Sequence, residues 1–216
     1  MRMRRDGPLT FKRPEDITFG TGRSSLGPVV VAASTKGIVS ILVGRKAPDL
    51  IRNLRERFPK ANLVRNEKAA KAMVSRVLRY IEAPAGAFGL PLDIRGTPFQ
   101  KRVWEEVRKI PLGETSTYSR IAERVDAPKA IRAVGSTCSA NGLAFAVPCH
   151  RVLHKDGTGY GPPKGRQHRF LAHEAKALEC HERSRRRWPR DAPRAEAARP
   201  DRTGTPASSG ARPPRP

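Results

Sequence analysis

No stretch of the 216-residue chain offers the unbroken apolar run of about eighteen residues that a membrane span needs, so a transmembrane helix is excluded. Cysteine is scarce. Cys138, Cys149 and Cys180 are odd in number, and no Cys-x-x-Cys spacing occurs, which argues against a structural zinc site and predicts no metal. The start, Met1-Arg2-Met3-Arg4-Arg5-Asp6-Gly7-Pro8, is basic but lacks the apolar core of a secretory signal, so a reducing, cytoplasmic setting is expected, one that suits free thiols. Acidic residues are also few, 20 against 43 Lys and Arg, leaving a net charge of +23. Such an excess points to a polyanionic partner, nucleic acid before membrane. Part of it lies in an arginine-biased C-terminal stretch, so where the charge falls matters more than its total.

Residues 1–16 are charged and proline-punctuated, and read as a flexible arm. Val29-Val30-Val31-Ala32-Ala33 and Ile38-Val39-Ser40-Ile41-Leu42-Val43 are β-branched runs flanking Ser34-Thr35-Lys36-Gly37, which predicts two paired strands. Leu50 to Phe58 has helical spacing, with Asp49 as a candidate N-cap and Pro59 as its stop, and Ala69 to Glu82 repeats the pattern. Leu90 to Ile94 reads as a closing strand. Residues 17–94 thus form an α/β unit without a cluster of catalytic residue types.

The second unit opens at Thr97-Pro98-Phe99-Gln100, a capping residue followed by proline at the first helical position. Phe99, Val103, Trp104, Val107 and Ile110 line one face of that helix. Ser119 to Val125 and Lys129 to Cys138 are two shorter helices separated by Asp126-Ala127-Pro128, the outline of a helix-turn-helix, although simple helix packing would give the same pattern. On the second of them Ala130, Ala133, Gly135 and Ser136 allow close approach to a groove, while Lys129 and Arg132 supply cations.

The densest chemistry sits in Phe145-Ala146-Val147-Pro148-Cys149-His150-Arg151-Val152, read as a short buried strand ended by proline and followed by a thiol and an imidazole. The thiolate is the nucleophilic form of cysteine, with a free pKa of about 8.5, and a neighbouring imidazole is a means of activating it. Alone, the pair is also compatible with an inert core cysteine beside a capping histidine. A Gly- and Pro-rich loop follows from Lys155 to Gly165, then a helix through Arg169-Phe170-Leu171-Ala172-His173-Glu174. Residues 181–216 carry ten arginines against four acids and little to bury, and are expected to be a disordered tail.

Taken in order, Gly96-Thr97-Pro98-Phe99-Gln100, Tyr118, Lys129-Ala130-Ile131-Arg132-Ala133-Val134-Gly135, Asn141, Val147-Pro148-Cys149-His150-Arg151-Val152 and Ala172-His173-Glu174 resemble the methylated-DNA-protein-cysteine methyltransferases, or O6-alkylguanine-DNA alkyltransferases, from about Ile17 to Lys176. The resemblance implies a ribonuclease-H-like α/β N-terminal subdomain over 17–94. It also implies a mostly α, winged-helix-like helix-turn-helix DNA-binding domain over 95–180. The zinc-binding regulatory half of the adaptive-response members is not expected here.

The resemblance casts Cys149 as methyl acceptor, His150 as its base through a water, Glu174 as the carboxylate orienting His150, and Asn141 as the hinge between recognition helix and active site. Tyr118 would assist nucleotide flipping and Arg132 would fill the vacated stack. Lys129, Ala133, Gly135 and Arg151 complete the expected DNA-binding set, and Val147, Pro148, Thr158, Gly159 and Tyr160 the expected substrate pocket. The implied reaction is a single irreversible transfer from O6-methylguanine, and secondarily O4-methylthymine, in double-stranded DNA to Cys149. It needs no cofactor, membrane or obligate protein partner, and is carried out by a monomer.

One departure stands out. Thr158 runs directly into Gly159, so the loop is about two residues short and lacks the family's serine, a donor whose loss costs about 2 to 4 kcal/mol of transition-state stabilisation. The alternative is therefore a lesion-recognising DNA-binding protein with weak or lost transfer, comparable to the alkyltransferase-like proteins. A cysteine hydrolase is the remaining reading.

Overall fold

The computed structural model describes residues 14–85, 88–159 and 165–187. The two β-branched runs pair as expected. β2 (Gly27–Ser34) and β3 (Gly37–Val43) are antiparallel, and the turn between them relies on Gly37 at φ +147°, where a Cβ would come within 2.7 Å of the Pro91 carbonyl. β1 (Asp16–Ser24) runs antiparallel to β2, and β4 (Asn62–Arg65) parallel to β1, so the sheet order is β3-β2-β1-β4.

Helices cover both sheet faces, which is why the strands read as continuous apolar runs without alternation. α1 (Ala47–Arg57) encloses Ile17, Phe19, Val30, Ala32, Leu42 and Leu54 on one side. α2 (Glu67–Glu82), capped by the Asn66 side chain on the Ala69 N–H, encloses Val29, Val31, Ile41, Val74, Val77 and Ile81 on the other. Gly20 permits that approach, since a Cβ there would lie 2.6 Å from that of Ala70.

The α2-side core continues into the second half of the chain. There α3 (Pro98–Arg108) starts at Thr97 with reciprocal Thr97 and Gln100 caps. α4 (Tyr118–Arg124) and α5 (Ile131–Ala140) pack against it, α6 (Arg166–Arg187) closes the body, and β5 (Ser116–Thr117) pairs in parallel with β6 (Val152–Leu153). Trp104 Nε1 donates to the Thr137 carbonyl at 3.1 Å and fixes α3 to α5. No helix among the described residues is long and apolar enough to cross a membrane.

Several expectations need correction. Leu90 to Ile94 makes only a single bridge, Leu92 to Ile38, because Pro91 has no N–H with which to extend the ladder. Phe145 to Val147 is a turn, closed by Val147 N–H on the Leu143 carbonyl at 2.9 Å, with Phe145 at φ +65°. Its residues are apolar because they are buried, and periodicity cannot separate a buried turn from a buried strand. α1 begins after Lys46, so Asp49 lies in its first turn and is not the cap. Residue 16 belongs to β1, and Glu15 is paired with Arg95, so the arm is shorter than expected. α6 runs to Arg187, past the boundary assigned to the tail, with an Arg183–Glu179 pair on its exposed side. The remaining arm and tail residues lie outside the described ones.

Candidate active site

Cys149 opens a 3-10 turn, Cys149–Arg151, directly after Pro148. Asn141, the C-cap of α5, holds it there. The Asn141 Nδ2 donates to the Val147 carbonyl at 2.8 Å and to Cys149 Sγ at 3.3 Å, while its Oδ1 accepts from the Leu143 N–H at 2.8 Å. One side chain thus ties the end of a helix, the turn and the sulfur together. The sulfur borders a cavity of about 790 Å³ whose wall includes Tyr118, Cys138, Asn141, Val147, His150 and Phe170. Leu50, Asn53 and Arg57 of α1 also line it.

His150 follows the cysteine and is buried, its ring packed against Phe145 and Phe170 at centroid distances of 5.2 and 5.5 Å. That packing offsets the strained φ of Phe145. His150 Nε2 meets Glu174 Oε1 at 2.9 Å. Arg151 grips the same carboxylate in a bidentate pair, Nε to Oε2 at 2.9 Å and Nη2 to Oε1 at 2.8 Å, and donates Nη1 to the Ile110 carbonyl at 2.6 Å. Gln167 of α6 donates to the His150 and Val152 carbonyls at 3.0 and 2.8 Å, locking the 3-10 turn from the other side.

Charge follows from this geometry. Burial alone would raise the Glu174 carboxyl, but the hydrogen bonds and charges of His150 and Arg151 outweigh it and hold the group at about 2. It is a fixed anion. Cys138 beside it, and then burial, push the Cys149 thiol well above the usual cysteine range, with the Asn141 amide acting the other way. The resting sulfur is therefore protonated and needs a base before it can attack. Sγ makes no direct hydrogen bond to the imidazole among the described residues.

The expected site residues fall into three places. Cys149, His150, Glu174 and Asn141 converge on the cavity or on each other, and Tyr118, buried at the start of α4 with its ring 5.1 Å from that of His154, lines the same cavity. Lys129, Arg132 and Ala133 are exposed on the turn before α5 and on its first residues, and a Cβ at Gly135 would meet nothing within 4 Å, so this face is open. Arg151 is a correction: it is buried and committed to Glu174 and Ile110, because a carboxylate enclosed at 2% exposure demands a partner, and it does not reach the α5 surface.

Val147 borders the cavity and Pro148 is buried behind it. Thr158 also departs from expectation: it is exposed, outside the cavity wall, and turned onto Asp156 through its hydroxyl and N–H at 2.7 and 2.9 Å. Gly159 sits against Gln167, and Tyr160 lies outside the described residues. Sequence reasoning missed Cys138, Gln167 and Arg57, whose links to the site join residues well separated in the chain and leave no local pattern. Among the described residues no group of three or more His, Cys, Asp or Glu is gathered to hold a metal ion.

A family model described as 6-O-methylguanine DNA methyltransferase, DNA binding domain, matches residues 98–176, which contain the whole of this polar network. The inducible methylated-DNA–protein-cysteine methyltransferase of Bacillus subtilis is 37% identical over 133 residues, 60% of this chain and 74% of that protein. The chain belongs to the methylated-DNA–protein-cysteine methyltransferase family. A crystal structure of Mycobacterium tuberculosis OGT in complex with DNA matches it with a TM-score of 0.62 at 30% identity, covering 74% of this chain and 94% of that one. The mixed sheet and surrounding helices are thus the fold of this family. The Escherichia coli bifunctional transcriptional activator/DNA repair enzyme Ada is 40% identical over 165 residues, 76% of this chain but 47% of Ada, so the chain spans about half the length of that relative.

Proposed function

We propose that the protein repairs DNA by moving the methyl group of O6-methylguanine, and secondarily of O4-methylthymine, from double-stranded DNA onto Cys149. Residues 17–94 act as a ribonuclease-H-like scaffold and 95–180 as a winged-helix-like DNA-binding unit, working as a monomer in the cytoplasm. Arg132, Lys129 and the small residues Ala133 and Gly135 form the face that meets the duplex. A methyl carbon on O6 is unreachable inside the stack, so the base must rotate out, at a cost of a few kcal/mol that Arg132 offsets by filling the gap. Tyr118 then borders the extruded base.

The chemistry is an in-line displacement. The Cys149 thiol gives its proton to His150 through a water, and Glu174 stabilises the resulting imidazolium. Sγ bonds the methyl carbon as the carbon–O6 bond breaks, and the electron pair stays on the guanine, which takes up a proton. The product is a thioether that water does not cleave, so each molecule acts once. What carries this reading is the Asn141 amide on Cys149 Sγ, because the helix that meets DNA thereby also fixes the nucleophile.

Incubation with a duplex bearing one labelled O6-methylguanine tests it. Label should appear on the wild-type protein and be absent from Cys149→Ala. Tight binding of the lesion duplex without transfer would instead establish the lesion-recognition reading.

A further inference from the structure

The segment 140–142, at whose centre Asn141 reaches the sulfur, is clamped by the other half of the molecule. Gly142's carbonyl accepts from the Ile41 N–H at 2.7 Å and from the Ser40 hydroxyl at 3.1 Å, both on β3. On the opposite side, Arg57 at the end of α1 donates Nη1 to the Ala140 carbonyl at 2.8 Å. Ala140 ends α5, and its carbonyl belongs to the last turn, which has no acceptor role left within the helix. The guanidinium is itself braced, Nε on Asn53 Oδ1 at 2.8 Å, and is half-buried. Gly142 leaves it room: a Cβ there would stand 3.0 Å from Nη1. This is a charge-assisted contact between residues 83 positions apart, and it ends one residue from the group that touches the nucleophile.

We propose that Arg57 is a positioning residue for alkyl transfer: by fixing the Ala140 carbonyl it holds the Asn141 amide on Cys149 Sγ, so that the N-terminal unit sets the reactivity of a thiol it does not contain. This rests on the functional reading above only for the transfer step. The reactivity of the thiol itself is independent of any DNA substrate. The other charged or titratable groups that border the cavity are Asp49, Arg52 and Glu56 from α1 and Arg166 from α6, together with Cys138, Tyr118 and His150. All of them are retained in the variants below, so a change in profile reports Arg57.

The test compares Arg57→Met, which keeps length and removes the donor, with Arg57→Lys, which keeps donor and charge. Two rates are read: alkylation of Cys149 by iodoacetamide across pH in the free protein, followed by the mass of the Cys149 peptide, and methyl transfer from an O6-methylguanine duplex. Arg57→Met should slow transfer about tenfold or more, as expected when a catalytic group loses its alignment. It should also move the Cys149 alkylation profile to higher pH and leave affinity for unmodified duplex within about twofold. Arg57→Lys should recover most of both rates.

Should Arg57→Met unfold, Gly142→Ala serves instead, crowding the guanidinium by a few tenths of an ångström without removing it, and should shift the profile in the same direction by a smaller amount. Wild-type rates and profile in Arg57→Met, or a loss that Arg57→Lys fails to recover, would overturn the proposal. If the profile shifts as expected while the wild type transfers no methyl, the positioning role stands and the functional reading falls.

Discussion

Around the four-stranded sheet the interior is apolar. Ile17, Val29, Val30, Leu54, Val77 and Ile81 are fully enclosed, and the ion pairs of that half, such as Arg95 with Glu15 and Asp93, lie near the surface. Around Cys149 the arrangement reverses, for the enclosed groups include His150, Arg151 and Glu174, each satisfied by another. Apolar packing is set by volume and tolerates repacking. A buried ionic network has one satisfactory geometry and fails when a member is lost. The scaffold half thus needs to be stable, whereas the site half needs to be unique, and the clamp at residues 140–142 joins the two.

Removing one member of the network should have the largest effect. Glu174→Gln leaves Arg151 without its counter-charge and should cost about 3 to 5 kcal/mol in chemical unfolding, together with slowed transfer in whatever remains folded. A loss below 1 kcal/mol would mean that the network is dispensable. Ile81→Ala, in the scaffold, should cost about 2 to 5 kcal/mol. Its transfer rate per folded molecule should match wild type, and a slowed rate would break the contrast between the halves.

Acid should weaken the network as well. Glu174 is held at about 2 against 4.5 for the free group, so its contribution is complete above pH 4.5 and disappears as pH falls toward 2. The depressed value corresponds to about 3 kcal/mol, and Glu174→Gln should flatten that part of the stability curve. The smallest effect belongs to the outer face. Arg132→Ala should weaken lesion-duplex binding by about 1 to 3 kcal/mol without changing thermal stability.

The sequence made the start of α3 legible because its signals are local: Thr97, Pro98 and Gln100 lie within four residues, and all take their expected roles. Cys149 and His150 were singled out by the same kind of local signal, which left an inert core cysteine open, and Glu174 came from the resemblance; the structure puts its carboxylate 2.9 Å from His150. The turn at Phe145, by contrast, was hidden by its own burial. β4 was missed because Asn62, Val64 and Arg65 are exposed and only Leu63 packs inward, so no alternation marks it as a strand. Arg151, which the resemblance placed in the DNA-binding set, is held instead by a buried carboxylate 23 residues along the chain, a partner that no local pattern reveals. Arg57 left no trace at all, since its acceptor is a backbone carbonyl far along the chain.

The most direct test of the central claim is the mass of the Cys149 peptide after incubation with an equimolar duplex holding a single O6-methylguanine. One added CH2 unit at Cys149, one per protein molecule and with no further turnover when more duplex is supplied, is the expected result. An unmodified Cys149 peptide from protein that had bound the duplex, or a methyl group on any other residue, would contradict it.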